Sequence, residues 1–481
     1  METFDVVVIG AGPGGYPAAI RAAQLGASVA IVEKEQLGGA CLNWGCIPTK
    51  ALIGAADTLA RIKRAAAFGI TVSGVSLDYA AMIAQKNKIV GQLKGGVKQL
   101  LTANGVRQFT GAAGFVDRNT IEIDGGAGSP PPAGRKDGAP EVTRPTERIG
   151  AKKIIIATGS TSAMPGFLPR HGRVVESRSF LDITTLPESL LVLGGGFIGC
   201  ELACLAAQLG VKVTLVELLD DILLLLDADV RREVRAQMEK SVGIRVLTGQ
   251  ALENIQANDE GVSGDFGGQT LRASLLLCAV GRKPVTDGLH PENAGLKAGE
   301  RGFIEADNCC RTAAANIFAV GDVTGKTQLA HYATAQGLAA AANAVTQKPH
   351  ACETLVPNVI FTSPEVGTVG LSEEDAKKSG RAVKTAKFRF AGLGRAQAAG
   401  ETAGFVKWIA DAGTDQLLGA AAVGPHATEL IAEAATAIRA EWTTRELGRT
   451  IHAHPTFSEA WMETAHALHG EAIHAPPRRK P

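Results

Sequence analysis

A glycine-rich turn between an apolar run and a helix-forming run occurs twice in this chain. The first copy is Asp5-Val6-Val7-Val8-Ile9-Gly10-Ala11-Gly12-Pro13-Gly14-Gly15, and the second is Leu190-Leu191-Val192-Leu193-Gly194-Gly195-Gly196-Phe197-Ile198-Gly199. Each reads as a buried parallel strand, a tight turn and a helix start. Each helix is expected to end near a glycine, Gly26 or Gly210, as a C-terminal cap. A second strand then closes on an acid, Ser28 to Glu33 and Lys212 to Glu217. In the pattern G-x-G-x-x-G the first glycine allows the turn, the second lets the backbone approach a pyrophosphate, and the third lets helix and strand pack closely. Gly10, Gly12 and Gly15 fill these places in one copy, and Gly194, Gly196 and Gly199 in the other. Gly14 and Ile198, inside the two turns, and Lys34, beside Glu33, are counted with the sites. One such motif is weak evidence. With a strand before it, a helix after it and an acid at the right distance, it specifies a dinucleotide on a helix N-terminus. Two copies imply two dinucleotide sites in a doubly wound α/β fold.

Glu33 and Glu217 are each expected to accept hydrogen bonds from a ribose hydroxyl. Glu217 also bears on cofactor choice. A 2′-phosphate beside it would oppose like charges at roughly 4 kcal/mol per unit pair at 4 Å and an effective dielectric near 20. Leu218 and Leu219 follow Glu217 where an arginine would be needed to offset that, so NAD is expected over its phosphorylated form.

A length of 481 residues allows roughly three or four domains. The 49 basic and 48 acidic residues leave a net charge of +1. No single-sign field is implied, and nucleic acid is not an expected partner. Met1 to Phe4 leads straight into a strand without a basic leader, and no apolar run is long enough for a membrane span. The eight cysteines do not resemble a secreted disulfide framework. A cytoplasmic location is the expectation.

Between the two motifs, Gly125 to Thr146 is dense in Gly and Pro and reads as a surface excursion. Lys152 to Ala157 and Asn316 to Val320 read as further buried strands, closed by Thr158-Gly159-Ser160 and Gly321-Asp322. From about Thr354 short strands alternate with a helix near Thr428 to Ala440. The polar tail after His469 is expected to fray.

Two constellations carry chemistry. The first is Gly38-Gly39-Ala40-Cys41-Leu42-Asn43-Trp44-Gly45-Cys46-Ile47-Pro48-Thr49-Lys50. Alone, Cys-x4-Cys can be a metal site or two buried thiols. Beside a nucleotide turn, it can be a dithiol that passes two electrons by thiolate exchange. Residues five apart on a regular helix point about 140° away from each other. The pair therefore needs an irregular turn, for which Gly45 and Pro48 offer breaks. Nearby Lys50 favours a thiolate. The second constellation is His454-Pro455-Thr456-Phe457-Ser458-Glu459. A lone histidine is more often structural. Here the proline favours an extended His454, and Glu459 can orient the ring. No metal site is assigned.

The run from Gly38 to Lys50 resembles the redox-disulfide signature of the flavin-dependent pyridine nucleotide-disulfide oxidoreductases. The likeness extends in order through both glycine motifs, Thr158-Gly159-Ser160, Ala279-Val280-Gly281-Arg282, Gly321-Asp322 and the His454 to Glu459 run. It implies FAD at the first site and NAD at the second, with a Cys41–Cys46 disulfide against the flavin. Cys46 would be the flavin-facing charge-transfer sulfur and Cys41 the sulfur that exchanges with substrate. Lys50 and Glu201 would pair near the reactive flavin nitrogen, Asp322 would bind the sugar-alcohol chain, and Gln328, Leu329, Ala330 and His331 would run beside the ring. Gly39, Ala40 and Ala113 are carried over to the flavin site and Gly281 to the cofactor-binding set. His454, held by Glu459, would serve as acid–base on the disulfide of a second subunit, which requires a homodimer. The implied parts are an FAD domain at 1–155, an NAD domain at 156–283, a central domain at 284–353 completing the FAD site, and an α+β dimerisation domain at 354–481.

Within the family the chain is most similar to the branch that reoxidises dihydrolipoyl groups. The implied partner is a lipoyl-bearing carrier of a 2-oxo acid dehydrogenase complex or the glycine cleavage system, with electrons passing through Cys41–Cys46 and FAD to NAD⁺. Glutathione reductases are the nearest alternative, opposed by Ile47-Pro48-Thr49-Lys50 and Glu217. Mercuric reductases add a C-terminal cysteine pair, and Ala467 to Pro481 has none. An idle, flavin-bearing structural subunit is the alternative of another class, opposed by the joint presence of Cys41, Cys46, His454 and Glu459. Trp44 and Phe197 depart from the usual pattern without removing a reacting group. Cys200 with Cys204 and the adjacent Cys309 and Cys310 are read as packed thiols.

Overall fold

The computed structural model describes residues 1–125, 146–299, 301–346 and 348–476. Most of the excursion expected between Gly125 and Thr146, and the end of the tail, lie outside the described residues. The chain forms two compact units, each assembled from three stretches: 1–52, 78–163 and 281–353 in one, and 53–77, 164–280 and 354–481 in the other.

The first unit is built on a parallel sheet in the order Arg107–Thr110, Val29–Glu33, Glu2–Ile9, Glu147–Ile156, Ile317–Ala319. Val6, Val7 and Val8 and Ile154, Ile155 and Ile156 are all buried. That is the continuous apolar pattern of strands covered on both faces. Glu147–Ile156 does two jobs. Its early residues pair antiparallel with Thr120–Asp124, which pairs in turn with Ala112–Phe115.

The second unit repeats the plan. Its parallel sheet runs Arg245–Thr248, Lys212–Glu217, Ser189–Leu193, Leu275–Cys278, Val174–Glu176, and a separate antiparallel trio is formed by Glu253–Ala257, Val262–Phe266 and Gln269–Ala273. Its C-terminal part is a five-stranded antiparallel sheet, Asn358–Ile360, Val366–Gly370, Leu417–Val423, Phe405–Asp411, Val383–Arg389. Helices Ala427–Arg439 and Glu459–Leu468 share its core. There Trp408 and Trp461 lie 4.6 Å apart, and each indole N–H finds a backbone carbonyl.

The expected α/β architecture is present. Lys212–Glu217 keeps its expected bounds, whereas the strand expected at Lys152 to Ala157 lengthens to Glu147–Ile156. Gly26 and Gly210 follow their helices with φ of +89° and +98°, the left-handed geometry that a glycine cap provides. Among the described residues no helix is long and apolar enough to cross a membrane.

Candidate active site

The first glycine turn leaves no room for a side chain at Gly10 or Gly15. Gly10 has φ +97°, and a Cβ there would lie 2.4 Å from the Ala157 carbonyl oxygen; one on Gly15 would lie 1.8 Å from the Gly10 oxygen. Glu33 reaches back into the turn. Its Oε2 accepts from the Ala11 N–H at 2.7 Å and its Oε1 from Glu35 at 2.8 Å. Burial nevertheless pushes its carboxyl above the usual range. Lys34 beside it is exposed. Ala113 sits on an antiparallel strand opposite Ile123, two residues after Gly111, whose N–H donates to the Glu33 carbonyl.

The dithiol segment is fastened to this turn. Gly38 N–H donates to Ala11 O at 2.9 Å. A Cβ on Gly39, at φ +60°, would meet Gly12 Cα at 2.6 Å, so only glycine allows the approach. A short helix Gly39–Trp44, carrying Ala40 and Cys41, ends at Gly45 with φ −137° and ψ −111°, and a new helix Cys46–Arg64 begins. Gly45 is thus the break that brings Cys41 and Cys46 to the same place. Pro48 is not a break: it occupies the first turn of the second helix, where its missing N–H is not needed. The two cysteines stand as thiols rather than as a disulfide here. Cys41 hydrogen-bonds with Cys46, which, together with burial, pushes the Cys41 thiol far above its ordinary value, while Lys50 pulls it down. Tyr16, which no motif flagged, lies near enough to Cys41 for that sulfur to add to the upward push of burial on its hydroxyl.

Residues far along the chain complete this region. Gly159 bonds to Val285, and Gly281 to Ala163, through backbone groups. Ser160 Oγ donates to Asp322 Oδ2 at 2.5 Å. Gln328 and His331 are exposed, and Leu329 and Ala330 lead into helix Ala330–Thr346. That helix lies across the first turn. Thr334 Oγ1 donates to Pro13 O at 3.0 Å, and a Cβ on Gly337 would meet Gly14 O at 2.2 Å. Neither Thr334 nor Gly337 was singled out from the sequence, because an alanine-rich run carries no mark of what it packs against.

The second turn repeats the geometry in the other unit. Gly194 has φ +110°, with a Cβ position 2.5 Å from Ala279 O; that of Gly199 lies 2.0 Å from Gly194 O. Glu217 Oε2 accepts from Gly195 N–H at 2.6 Å and Oε1 from Leu219 at 2.9 Å. A Cβ on Gly196 would meet nothing within 4 Å. Ile198 stands in the first turn of helix Phe197–Gln208. On the same helix Glu201 is buried, and its Oε1 accepts from Phe361 N–H at 2.9 Å. Lys50 and Glu201 fall in different units. Cys200 is buried and donates to Gly195 O, a packing role.

His454 and Glu459 meet. The ring Nδ1 lies 2.8 Å from Glu459 Oε1, and Glu459 Oε2 accepts from Thr456 N–H at 2.8 Å. Burial pushes Glu459 up, but the Thr456 and His454 bonds outweigh it and hold the carboxyl below its usual range. An ionised acceptor at Nδ1 leaves Nε2 to act as base, and the His454 side chain is 75% exposed. The His454–Pro455 bond is cis. His452, two residues earlier, turns inward. Its Nε2 is 2.6 Å from Glu433 and its Nδ1 2.9 Å from Thr450 O. Both neighbours are acceptors, and Glu433 raises the pKa of the ring.

Residues 4–337 match the family model described as pyridine nucleotide-disulphide oxidoreductase, and 356–465 match the dimerisation domain of the same family. The chain belongs to the pyridine nucleotide-disulphide oxidoreductase family. It is 39% identical to a dihydrolipoyl dehydrogenase of Chlamydia muridarum over all of both chains. It is 43% identical to one of Haloferax volcanii, covering 98% of this chain and 97% of that one. For one of Bacillus subtilis the figures are 38%, 98% and 99%. Among solved structures, LpdA of Mycobacterium tuberculosis superposes with a TM-score of 0.86 at 27% identity, covering 97% of this chain and all of that one. The HOCl-induced flavoprotein disulfide reductase RclA of Escherichia coli gives 0.83 at 28%, covering 96% and 99%.

FAD and NAD are the cofactors of this flavoprotein oxidoreductase, and the residues fit them. Each glycine turn forms a cradle that a Cβ would fill. Beside the first, Thr158 Oγ1 is buried with no hydrogen-bond partner among the described residues, an acceptor and donor in want of a ligand.

Proposed function

We propose that the chain is a dihydrolipoyl dehydrogenase that reoxidises the dihydrolipoyl arm of a carrier protein. The observation that carries the proposal is the dithiol helix pinned to a nucleotide turn through Gly38 and Gly39. The names of the relatives favour this substrate over glutathione disulfide or Hg²⁺.

Gly10, Gly12, Gly14, Gly15, Glu33, Lys34, Gly39, Ala40, Lys50 and Ala113 would hold FAD together with Thr158 to Ser160, Asp322 and 328–331. Gly194, Gly196, Ile198, Gly199, Glu217 and Gly281 would hold NAD, and Glu201 is read as the acid that serves the flavin ring. When bound, FAD supplies two-electron exchange between the dithiol and the nicotinamide. In the proposed cycle His454 Nε2 takes the proton of one dihydrolipoyl thiol. The resulting thiolate attacks Cys41 Sγ of the Cys41–Cys46 disulfide, and the S–S bond breaks with its electron pair on Cys46. The second lipoyl thiol displaces Cys41, so the lipoyl group leaves as a disulfide and the enzyme keeps both electrons as a dithiol. In that dithiol Cys46, the flavin-facing sulfur that the family resemblance implies, is the thiolate and Cys41 keeps the proton. Glu459 orients His454 throughout.

His454 is read as serving the disulfide of a second copy. The outward aim of the ring, and Ile451 beside it at 94% exposure, favour a face that another chain covers. The carrier belongs to a 2-oxo acid dehydrogenase complex or the glycine cleavage system, the setting is the cytoplasm, and the four-part division at 155, 283 and 353 describes the dimer's subunit.

Purified protein assayed side by side should turn over dihydrolipoamide with NAD⁺ and leave glutathione disulfide and Hg²⁺ essentially untouched. The His454→Gln variant should lose about 10²-fold or more of the dihydrolipoamide rate. It should keep NADH-driven reduction of an electron-accepting dye, which bypasses the thiols. Turnover of glutathione disulfide at a comparable rate would overturn the substrate, and near-normal dihydrolipoamide turnover in His454→Gln would overturn the base.

A further inference from the structure

Arg282 has no part in the cycle above, yet it makes a polar connection near the first cofactor site. The chain leaves the first unit through Ser160–Ser162 and re-enters it through Arg282–Pro284. These two segments pair antiparallel, Arg282 opposite Ser162 and Pro284 opposite Ser160. The Arg282 side chain runs back along this ribbon. Its Nε donates to Ser160 Oγ at 2.7 Å, and its Nη2 donates to the Ser160 carbonyl at 2.7 Å. Ser160, 8% exposed, has a single hydroxyl proton, which it gives to Asp322 Oδ2 at 2.5 Å. The guanidinium itself stands 3.8 Å from that oxygen, beyond hydrogen-bond reach. The hydrogen-bonded connection therefore passes through the serine, with the direct charge attraction across 3.8 Å beside it. With one lone pair of Oγ filled by a cationic donor, the hydroxyl proton is aimed at the carboxylate and polarised toward it. The planar fork of arginine presents both donors in a fixed geometry, which a lysine ammonium does not.

We propose that Arg282 is a positioning residue for the flavin site. It acts through Ser160 to fix the Asp322 carboxylate, occupying Oδ2 and leaving Oδ1 to accept from a hydroxyl of the cofactor's sugar-alcohol chain. The inference rests on the proposed role of Asp322 in holding FAD. The relay also ties that carboxylate to the ribbon where the chain crosses between units, so the orientation of Asp322 depends on the register of Ser160 against Pro284.

The test is FAD release from purified holoprotein, followed by the return of free-flavin fluorescence in mild urea, with thermal midpoints measured on the same samples. Arg282→Met should release FAD about tenfold more readily, the effect of roughly one charge-assisted hydrogen bond. Ser160→Ala should match it, and the double variant should be no worse than either single one, because both cut the same relay. Arg282→Lys should fall between Arg282→Met and the parent. Should Arg282→Met fail to fold, Ser160→Ala and Arg282→Lys decide. Asp322→Ala is the control. If it releases FAD while Ser160→Ala and the Arg282 variants hold it within twofold of the parent, or if the two substitutions multiply, the relay is refuted and the Asp322 reading stands. If Asp322→Ala itself holds FAD normally, the reading of Asp322 falls, and the inference with it.

Discussion

The two glycine turns use the same parts and are finished differently. In both, a first glycine at positive φ passes close to a strand-end carbonyl, and a third abuts the oxygen of the first. In both, a glutamate accepts from one N–H of the turn and from the N–H two residues beyond itself. The first is then covered twice more, by Gly38 and Gly39 on one side and by Thr334 and Gly337 of a distant helix on another. The second takes one equivalent bond, Leu223 N–H to Gly195 O at 2.9 Å, but among the described residues no helix glycine abuts it as Gly337 abuts Gly14. Gly196 faces open space, and Leu218 and Leu219 beyond Glu217 are 61% and 53% exposed. Its bracing is from behind: Ile222 fills the space beside Gly195, and the segment runs on to Asp227, which shares the buried Lys407 with Asp229 and Glu373. An enclosed turn suits a cofactor that stays, and an open one suits a cofactor that comes and goes.

The largest expected effect separates the turns directly. Gly15→Val forces atoms into a backbone oxygen and should cost about 4 kcal/mol or more, giving insoluble or flavin-free protein. Gly196→Ala, with no neighbour to strike, should keep stability within about 0.5 kcal/mol and keep FAD. It should raise the KM for NADH several-fold, since the second glycine is where backbone meets pyrophosphate. Thermal melting, flavin absorbance and NADH kinetics on the pair check this; loss of FAD from Gly196→Ala would break the contrast. A smaller effect is expected at the acids. Glu217→Arg should move the NADH to NADPH preference by on the order of tenfold or more without altering flavin content, and an unchanged ratio would contradict the charge argument.

The smallest effect is one of pH, and its sign differs between two acids. Burial raises Glu33, so in cofactor-free protein its ionised form carries a penalty at neutral pH that fades as pH falls through its raised pKa. Glu459 is lowered by its bonds to Thr456 and His454. Its contribution is present above the ordinary carboxylate value and is lost as pH falls through its depressed one. Acid titration of stability should therefore show a gain arm removed by Glu33→Gln and a loss arm at lower pH removed by Glu459→Gln.

Much of this was legible in residue order alone. Val6 to Ile9 and Leu190 to Leu193 announce buried strands because every position is apolar, and Glu33 and Glu217 stand where a returning strand must end. The dithiol break was half legible. Gly45 does interrupt the helix, but a proline can open a helix as readily as end one, and Pro48 opens it. What the sequence hid is long-range contact. Gly337 inside an alanine-rich helix, Arg282 on Ser160 and Glu433 against His452 meet partners through the fold, and nothing local marks a residue for a neighbour that distant.

Cys41 and Cys46 are proposed as the electron relay beside the first site, with Cys46 as the thiolate. Visible spectroscopy of anaerobic holoprotein titrated with dihydrolipoamide tests it most directly. A long-wavelength band should grow in the parent, be present before any reduction in Cys41→Ser, and be absent in Cys46→Ser. A band of equal strength in Cys46→Ser, or a flavin that bleaches with no such band in the parent, would contradict the account.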